Sequence, residues 1–253
     1  MGTVIVCYKW VLDEADLRIR EDRSVDLSRA KYKISDYDRN SIEAACRLAR
    51  EIGAETLGIS CGGDETKKSF ADALARGPDK GVWIHTDGEH LDSVQVSALL
   101  AAAVRKCENA SVVFCSDGSS DEYARQTAPR IAAKLDWPVV TSVVAVEADG
   151  DSLLVTRKLD KSIQTLRVQT PCVIAVLPEI GPAPVPGLRQ VMAARKKPLS
   201  EYSAADLCSL TGASTRAGLI GYLSSRKGVL ITGDSDAEKV KQLAADMRRE
   251  GVL

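Results

Sequence analysis

The first 135 residues alternate short apolar, β-branched runs with one-faced helical patterns, and this alternation restricts the fold more than any other feature. Residues 4–8, 56–61, 81–85 and 111–115 read as short buried strands. Between the first two, Asp38 is a plausible N-cap for a helix whose apolar residues fall at Ile42, Ala45, Cys46, Ala49 and Ile52. Gly53 closes that helix as a C′ glycine. Further helices are expected from near Asp64, over 91–106 and from about Ser120 to Leu135, while 11–34 read as polar and irregular. Strand, helix and strand joined by short turns predict an α/β fold with a parallel-core sheet and flanking helices, Rossmann-like.

After residue 138 the pattern changes. Residues 139–146, 152–156, 163–168 and 172–177 read as strands without helices between them, and Asp149-Gly150 marks a tight turn, so an antiparallel extension is expected. Four prolines in 178–187 remove four backbone donors and leave an exposed, stiff segment. Beyond it come a Ser, Thr and Gly-rich stretch to about Ser225, a small strand at 229–232 and a helix from Ser235 to about Glu250. The expected organisation is a nucleotide-binding domain over 1–190 and a C-terminal arm over 191–253.

Composition removes several function classes. Lys and Arg total 34 against 35 Asp and Glu, a net charge of −1, so no basic field draws the chain to nucleic acid or anionic membranes. Aromatics are 4% of the chain, too few for a base-stacking surface. No apolar run approaches a membrane span, and the first ten residues read as a strand rather than a signal peptide, so no membrane insertion is expected. The seven cysteines are scattered, without a CxxC pair, and mostly sit among apolar neighbours. Reduced thiols in a cytoplasmic protein, with no metal site, are the expectation.

In parallel sheets ligands sit beyond the carboxyl ends of strands, near helix N-termini. Two such ends carry suitable residues. In 60–64, Ser-Cys-Gly-Gly-Asp, small side chains allow close approach to the backbone around Cys61. In 116–127 Gly118 permits an unusual turn, and Ser119 with Glu122 has capping-box spacing. Amides near 119–122, the hydroxyls of Ser119, Ser120 and Thr127, and Arg125 would suit a phosphate. The same cluster also reads as a plain helix cap. Asp13-Glu14 and Asp121-Glu122 read as solvated faces or caps, and His85 and His90 as solvated loop residues. Neither the dinucleotide fingerprint nor the P-loop is present, and no nucleophile has a base in a recognisable context, so catalytic residues are not expected.

Several motifs, in order and spacing, make the chain similar to the β subunit of electron transfer flavoproteins, in its Fix-type branch associated with nitrogen fixation and carnitine metabolism. They are Val4-Ile5-Val6-Cys7-Tyr8-Lys9-Trp10-Val11-Leu12-Asp13-Glu14, Lys33-Ile34-Ser35-Asp36-Tyr37-Asp38 and Arg76-Gly77-Pro78-Asp79. Asp117-Gly118-Ser119-Ser120-Asp121 with Gln126-Thr127, and the run from Leu188 through Met192 to Pro198, complete the set. The resemblance implies an electron carrier subunit rather than a catalyst by itself. Its partner would be an α subunit, with FAD shared between the two and AMP or a second FAD held in this chain. Electrons would pass between acyl-CoA dehydrogenase-type or quinone reductase-type partners. Carried over residue by residue, the nucleotide would lie against Cys7, Ser35, Asp36, Tyr37, Asp38, Cys61 and the loop 117–128. In that loop the resemblance points to Asp117, Gly118, Ser119, Ser120, Asp121, Ala124, Arg125, Gln126, Thr127 and Ala128. Leu188 matches the family's recognition-loop anchor, and Arg195, Lys196 and Lys197 would steer an acidic partner. The arm over 191–253 would contact the α subunit. Alternatives are a stand-alone, homodimeric nucleotide-binding regulator of the stress-protein kind and an ATP-using ligase or hydrolase. The long tail disfavours the first, and the lack of a base or metal cluster disfavours the second.

Overall fold

A computed structural model describes residues 2–87, 90–223 and 227–253. The end of the Ser, Thr and Gly-rich stretch at Ser225 lies outside the described residues. The chain divides into two compact units, Met1–Arg18 with Asp26–Leu219 and Ile19–Val25 with Ile220–Leu253.

The strands are β1 (Thr3–Cys7), β2 (Trp10–Leu12), β3 (Arg18–Ile19), β4 (Val25–Asp26), β5 (Tyr32–Ile34), β6 (Glu55–Gly62), β7 (Lys80–His85), β8 (Ala110–Ser116), β9 (Val139–Asp149), β10 (Ser152–Leu159), β11 (Ser162–Gln169), β12 (Cys172–Val176) and β13 (Leu199–Ser203). The helices are α1 (Asp36–Ile52), α2 (Asp64–Lys68), α3 (Phe70–Ala75), α4 (Ser93–Arg105), α5 (Thr127–Leu135), α6 (Leu188–Ala194), α7 (Ala204–Leu207) and α8 (Asp236–Arg249).

A nine-stranded mixed sheet of order β11-β10-β9-β12-β8-β1-β6-β7-β13 organises the first unit. Every pairing from β9 to β13 in that order is parallel, and only the β9–β10 and β10–β11 pairings are antiparallel. Of the strands expected as an antiparallel extension, β9 and β12 therefore join the parallel core. The period of two in β1 shows how the sheet is covered on both faces. Val4 and Val6 pack with α1 and Phe114, whereas Ile5 and Cys7 pack with α4 and α5 residues such as Leu99 and Ile131.

The chain builds β6 and β7 on one side of β1, then crosses back to place β8 on the other. That reversal opens a crevice at the carboxyl end of β1, where α/β sheets take ligands.

Local departures have physical causes. Residues 11–34 are not irregular throughout, because β2 pairs antiparallel with β5, and β3 and β4 form a second two-stranded sheet. The N-cap position of α1 is Ser35, and Asp38 sits buried in the first turn. Gly53 does end α1, at φ 64°. Residues 191–219, expected in the arm, belong to the first unit, where β13 adds a parallel edge strand to β7. No strand forms at 229–232.

The second unit is small. The Gly221 amide donates to the Arg23 carbonyl at 2.8 Å, and Ser235 caps α8, which has no buried residue. No helix among the described residues is long and apolar enough to cross a membrane.

Candidate functional site

The carboxyl ends of β1, β6 and β8 converge on a cavity of about 380 Å³, within the size range of small-molecule sites. Its floor carries three thiols, Cys7, Cys61 and Cys115, one from each strand end. The neighbouring Cys115 thiol and burial push the Cys7 thiol well above its ordinary range. Burial pushes Cys61 up to about 11. Cys7 and Cys61 are thus neutral near pH 7 and present an apolar surface rather than nucleophiles.

One wall is laced together by Asp38. Its Oδ2 accepts the Lys9 amide at 2.7 Å, and its Oδ1 accepts the Ser116 hydroxyl. The carboxylate thereby ties the end of β1, the first turn of α1 and the end of β8. Burial drives its pKa up to about 7, with the Ser116 and Lys9 hydrogen bonds opposing that rise.

Residues 117–126 form the opposite wall, and they are not the start of a helix. Tyr123 and Arg125 hold left-handed φ values of 47° and 56°, which a helix excludes, and α5 begins only at Thr127. The expected capping box between Ser119 and Glu122 is not made, because both acids of this loop have other partners. Asp121 accepts the Ser119 hydroxyl and the Glu122 amide, and it pairs with Lys9 Nζ at 2.7 Å. Glu122 pairs with Lys9 at 3.0 Å and with Arg216 at 3.0 Å. Burial alone lowers the pKa of Lys9, but these carboxylates outweigh it and the ammonium stays charged.

Asp117 is buried beneath the loop. It accepts the Ser142 amide at 3.1 Å and pairs with Arg125 Nε at 2.6 Å, while Arg125 Nη2 reaches Ser142 Oγ at 3.3 Å. Gly118 is required for close approach and not for an unusual turn, since a Cβ there would fall 2.5 Å from the Tyr123 ring.

Among the residues expected to hold a nucleotide, Cys7, Asp38, Cys61, Asp117, Gly118, Ser119, Ala124, Arg125, Gln126 and Thr127 line the cavity. The others stand behind it. Ser35 Oγ accepts the Ser120 amide at 3.1 Å, and Tyr37 packs edge-on against Tyr123 at 5.5 Å, so these three brace the loop from outside. Asp36 pairs with Lys33 and Arg39, Asp121 with Lys9, and Ala128 is buried in the core.

Sequence reasoning missed Lys9, the stacked rings of Trp10 and Tyr32, His90 and Arg216, all of which line the cavity. Lys9 had a signal, as a cation directly after the first strand. Arg216, in an irregular tail, had none.

The expected docking residues separate as well. Leu188 opens α6 with 79% of its surface exposed, and Arg195 and Lys196 are exposed. Lys197 is not free to steer a partner. Its ammonium donates to the carbonyls of Leu74, Gly77 and Pro78 at 2.9, 3.0 and 2.7 Å, satisfying acceptors at the carboxyl end of α3.

Among the described residues no group of three or more His, Cys, Asp or Glu side chains is arranged to hold a metal ion. The cavity pairs an apolar floor and stacked aromatics with Lys9, Arg125 and Arg216, a donor set that suits an aromatic ring carrying phosphate. Among the described residues the buried Nε1 of Trp10 has no acceptor. The family model of the electron transfer flavoprotein domain matches residues 24–207. That span includes most of the sheet, the whole of loop 117–126 and α6, and on it the chain belongs to the electron transfer flavoprotein domain family.

Proposed function

We propose that this chain is a β-type subunit of an electron transfer flavoprotein, holding an adenine nucleotide in its cavity and sharing FAD with an α subunit. The observation that carries the reading is the cavity at the reversal point beside β1, lined by cations and closed by loop 117–126, in a chain of this family.

FAD, when bound, supplies the electron-accepting and electron-donating chemistry. The chain's own residues bind and position. Lys9, Arg125 and Arg216 would hold a phosphate, Ser119 and Thr127 would add hydroxyls, and Trp10 and Tyr32 would offer a ring surface that excludes water. The buried Asp38 fixes the strand ends against which the ligand rests. The subunit acts as a carrier rather than a catalyst by itself, and whether the nucleotide is AMP or a second FAD decides if the complex holds one flavin or two.

Leu188 and the exposed pair Arg195 and Lys196 form the docking surface for redox partners of the acyl-CoA dehydrogenase or quinone reductase type. Burying Leu188 on a partner contributes roughly 1.5–3 kcal/mol. The C-terminal residues, with Val240 and Leu243 exposed on α8, clasp the α subunit.

Purification together with an α subunit, followed by mass spectrometry of the ligands released on denaturation, tests the reading. One FAD per heterodimer with AMP, or two FAD, supports it. A homodimer indifferent to α would overturn it. Leu188→Ala is expected to slow electron transfer to the partner roughly tenfold without changing nucleotide content, and loss of nucleotide in that variant would contradict its docking role.

A further inference from the structure

The mouth of the cavity carries a charge network whose geometry goes beyond simple closure. Glu122 offers one oxygen to Lys9 Nζ at 3.0 Å, an ammonium that Asp121 also holds at 2.7 Å, and the other to Arg216 Nη2 at 3.0 Å, with His90 Nε2 at 3.6 Å from that second oxygen. All four side chains line the cavity.

Arg216 is not there by accident of a loose tail. Asp92 Oδ1 caps α4 by accepting the Val94 and Gln95 amides at 2.9 Å each. Its Oδ2 accepts the amides of Ala213 at 2.6 Å and Ser214 at 2.8 Å. The segment carrying Arg216 is therefore tied to the body of the unit two residues before the guanidinium, and Glu122 is the anion that meets it.

Lys9, Glu122 and Arg216 are 42%, 38% and 46% exposed. Ion pairs at such exposure are weak and exchange readily. A phosphate monoester brings up to two negative charges and three acceptor oxygens, where the carboxylate brings one charge and two. Arginine meets phosphate bidentately, and lysine meets it as a point charge.

We propose that Glu122 is an internal counter-anion that occupies Lys9 and Arg216 until the phosphate of an adenine nucleotide displaces it, with Arg216 the residue that selects the nucleotide over its nucleoside. The inference rests on the reading of the cavity as an adenine nucleotide site. The exchange makes and breaks no covalent bond. It makes nucleotide affinity a difference between two sets of ion pairs, so strengthening the internal set weakens the ligand and removing it tightens the ligand.

The test is calorimetric titration of the charcoal-treated full chain with AMP and with adenosine. Wild type is expected to prefer AMP. Arg216→Gln is expected to weaken AMP roughly tenfold and to leave adenosine unchanged. Glu122→Gln is expected to tighten AMP severalfold and to leave adenosine unchanged. Glu122→Asp, which withdraws the carboxylate by one methylene, gives a second reading with the same direction should the glutamine variant fold poorly.

Weaker or unchanged AMP binding in folded Glu122 variants overturns the counter-anion, as does an Arg216→Gln effect that is equal for AMP and adenosine. Equal binding of the two ligands by wild type also overturns it while leaving the adenine site standing. Failure of wild type to bind either ligand removes the site reading itself, and the counter-anion with it.

Discussion

Two strand-to-helix junctions flank the cavity, and they are built on opposite plans. β6 ends at Gly62 and after Gly63 the chain enters α2 at once, with Gly62 at φ 155° and a hypothetical Cβ there clashing with Thr66 Oγ1. After β8 ten residues, 117–126, intervene before α5, with Tyr123 and Arg125 in left-handed conformations. The short junction is held by sterics between neighbours in sequence. The long one is held by charges from distant segments, Lys9 from the end of β1 and Arg216 from the tail. Steric contact offers no charge for salt to screen, whereas partly exposed ion pairs are screened by it. One wall of this site is therefore stiff by construction, and the other is conditional on its counter-ions.

The largest effect expected from breaking this contrast is at the short junction. Gly62→Ala forces a Cβ into buried Thr66 at a φ that favours glycine, and is expected to lower stability by about 3 kcal/mol. Urea denaturation reads this directly, and an unchanged midpoint would show that the β6 junction is not sterically fixed.

Next is the buried anchor of the long junction. Asp38 holds its proton up to about pH 7 in the folded chain, against an ordinary value of 3.8. Between these two values the folded state binds more protons than the unfolded state. Stability from this group is therefore complete below pH 4, falls as pH rises toward 7 and is level above that. The total is on the order of a few kcal/mol. Asp92, held down to about 2 by the Gln95, Ala213 and Ser214 amides, and Asp121, also lowered, act in the opposite sense and only at more acid pH. Asp38→Asn is thus expected to flatten the stability profile between pH 5 and 7.5. A slope that survives the substitution would assign the titration elsewhere.

Asp92→Ala removes a helix cap and releases residues 213 and 214 together, and is expected to lower the melting temperature by a few degrees. Hydrogen exchange should rise at Ala213 and Ser214 with little change in 117–126. If the exchange of both segments rose alike, the tail and the loop would be one cooperative element.

The smallest effect on folding is expected for Gly118→Val, about 1 kcal/mol, because the Tyr123 ring it displaces is 45% exposed. Its effect on the ligand should be large, since the displaced ring carries the loop that lines the cavity. A stability loss matching that of Gly62→Ala would erase the distinction between the two junctions.

Much of the first unit was readable from local pattern. The apolar run of β1, the one-faced α1 and the glycine that closes it each encode their conformation within a few residues. The strand ends that bear Cys7, Cys61 and Ser116 follow from where those patterns stop. The loop 117–126 misled for an equally local reason. Ser119 and Glu122 have the spacing of a helix start, and nothing nearby announces that Lys9 claims both Asp121 and Glu122. Lys197 looks like part of a basic run, yet its three acceptors lie some 120 positions earlier in the chain. The edge strand β13 sits in a polar stretch whose order depends on pairing with β7.

Local pattern was enough to specify an α/β layering, the parallel core and the positions where strands yield to loops. These depend on side-chain periodicity and on single residues such as Gly53, all expressed within one or two turns of chain. Long-range contacts were needed to make loop 117–126 non-helical, to set Lys197 against a helix end and to bring Arg216 to the cavity. Each of those outcomes is a contest between a weak local preference and a charge or hydrogen bond contributed from far along the chain, and only folding brings the second contestant within reach.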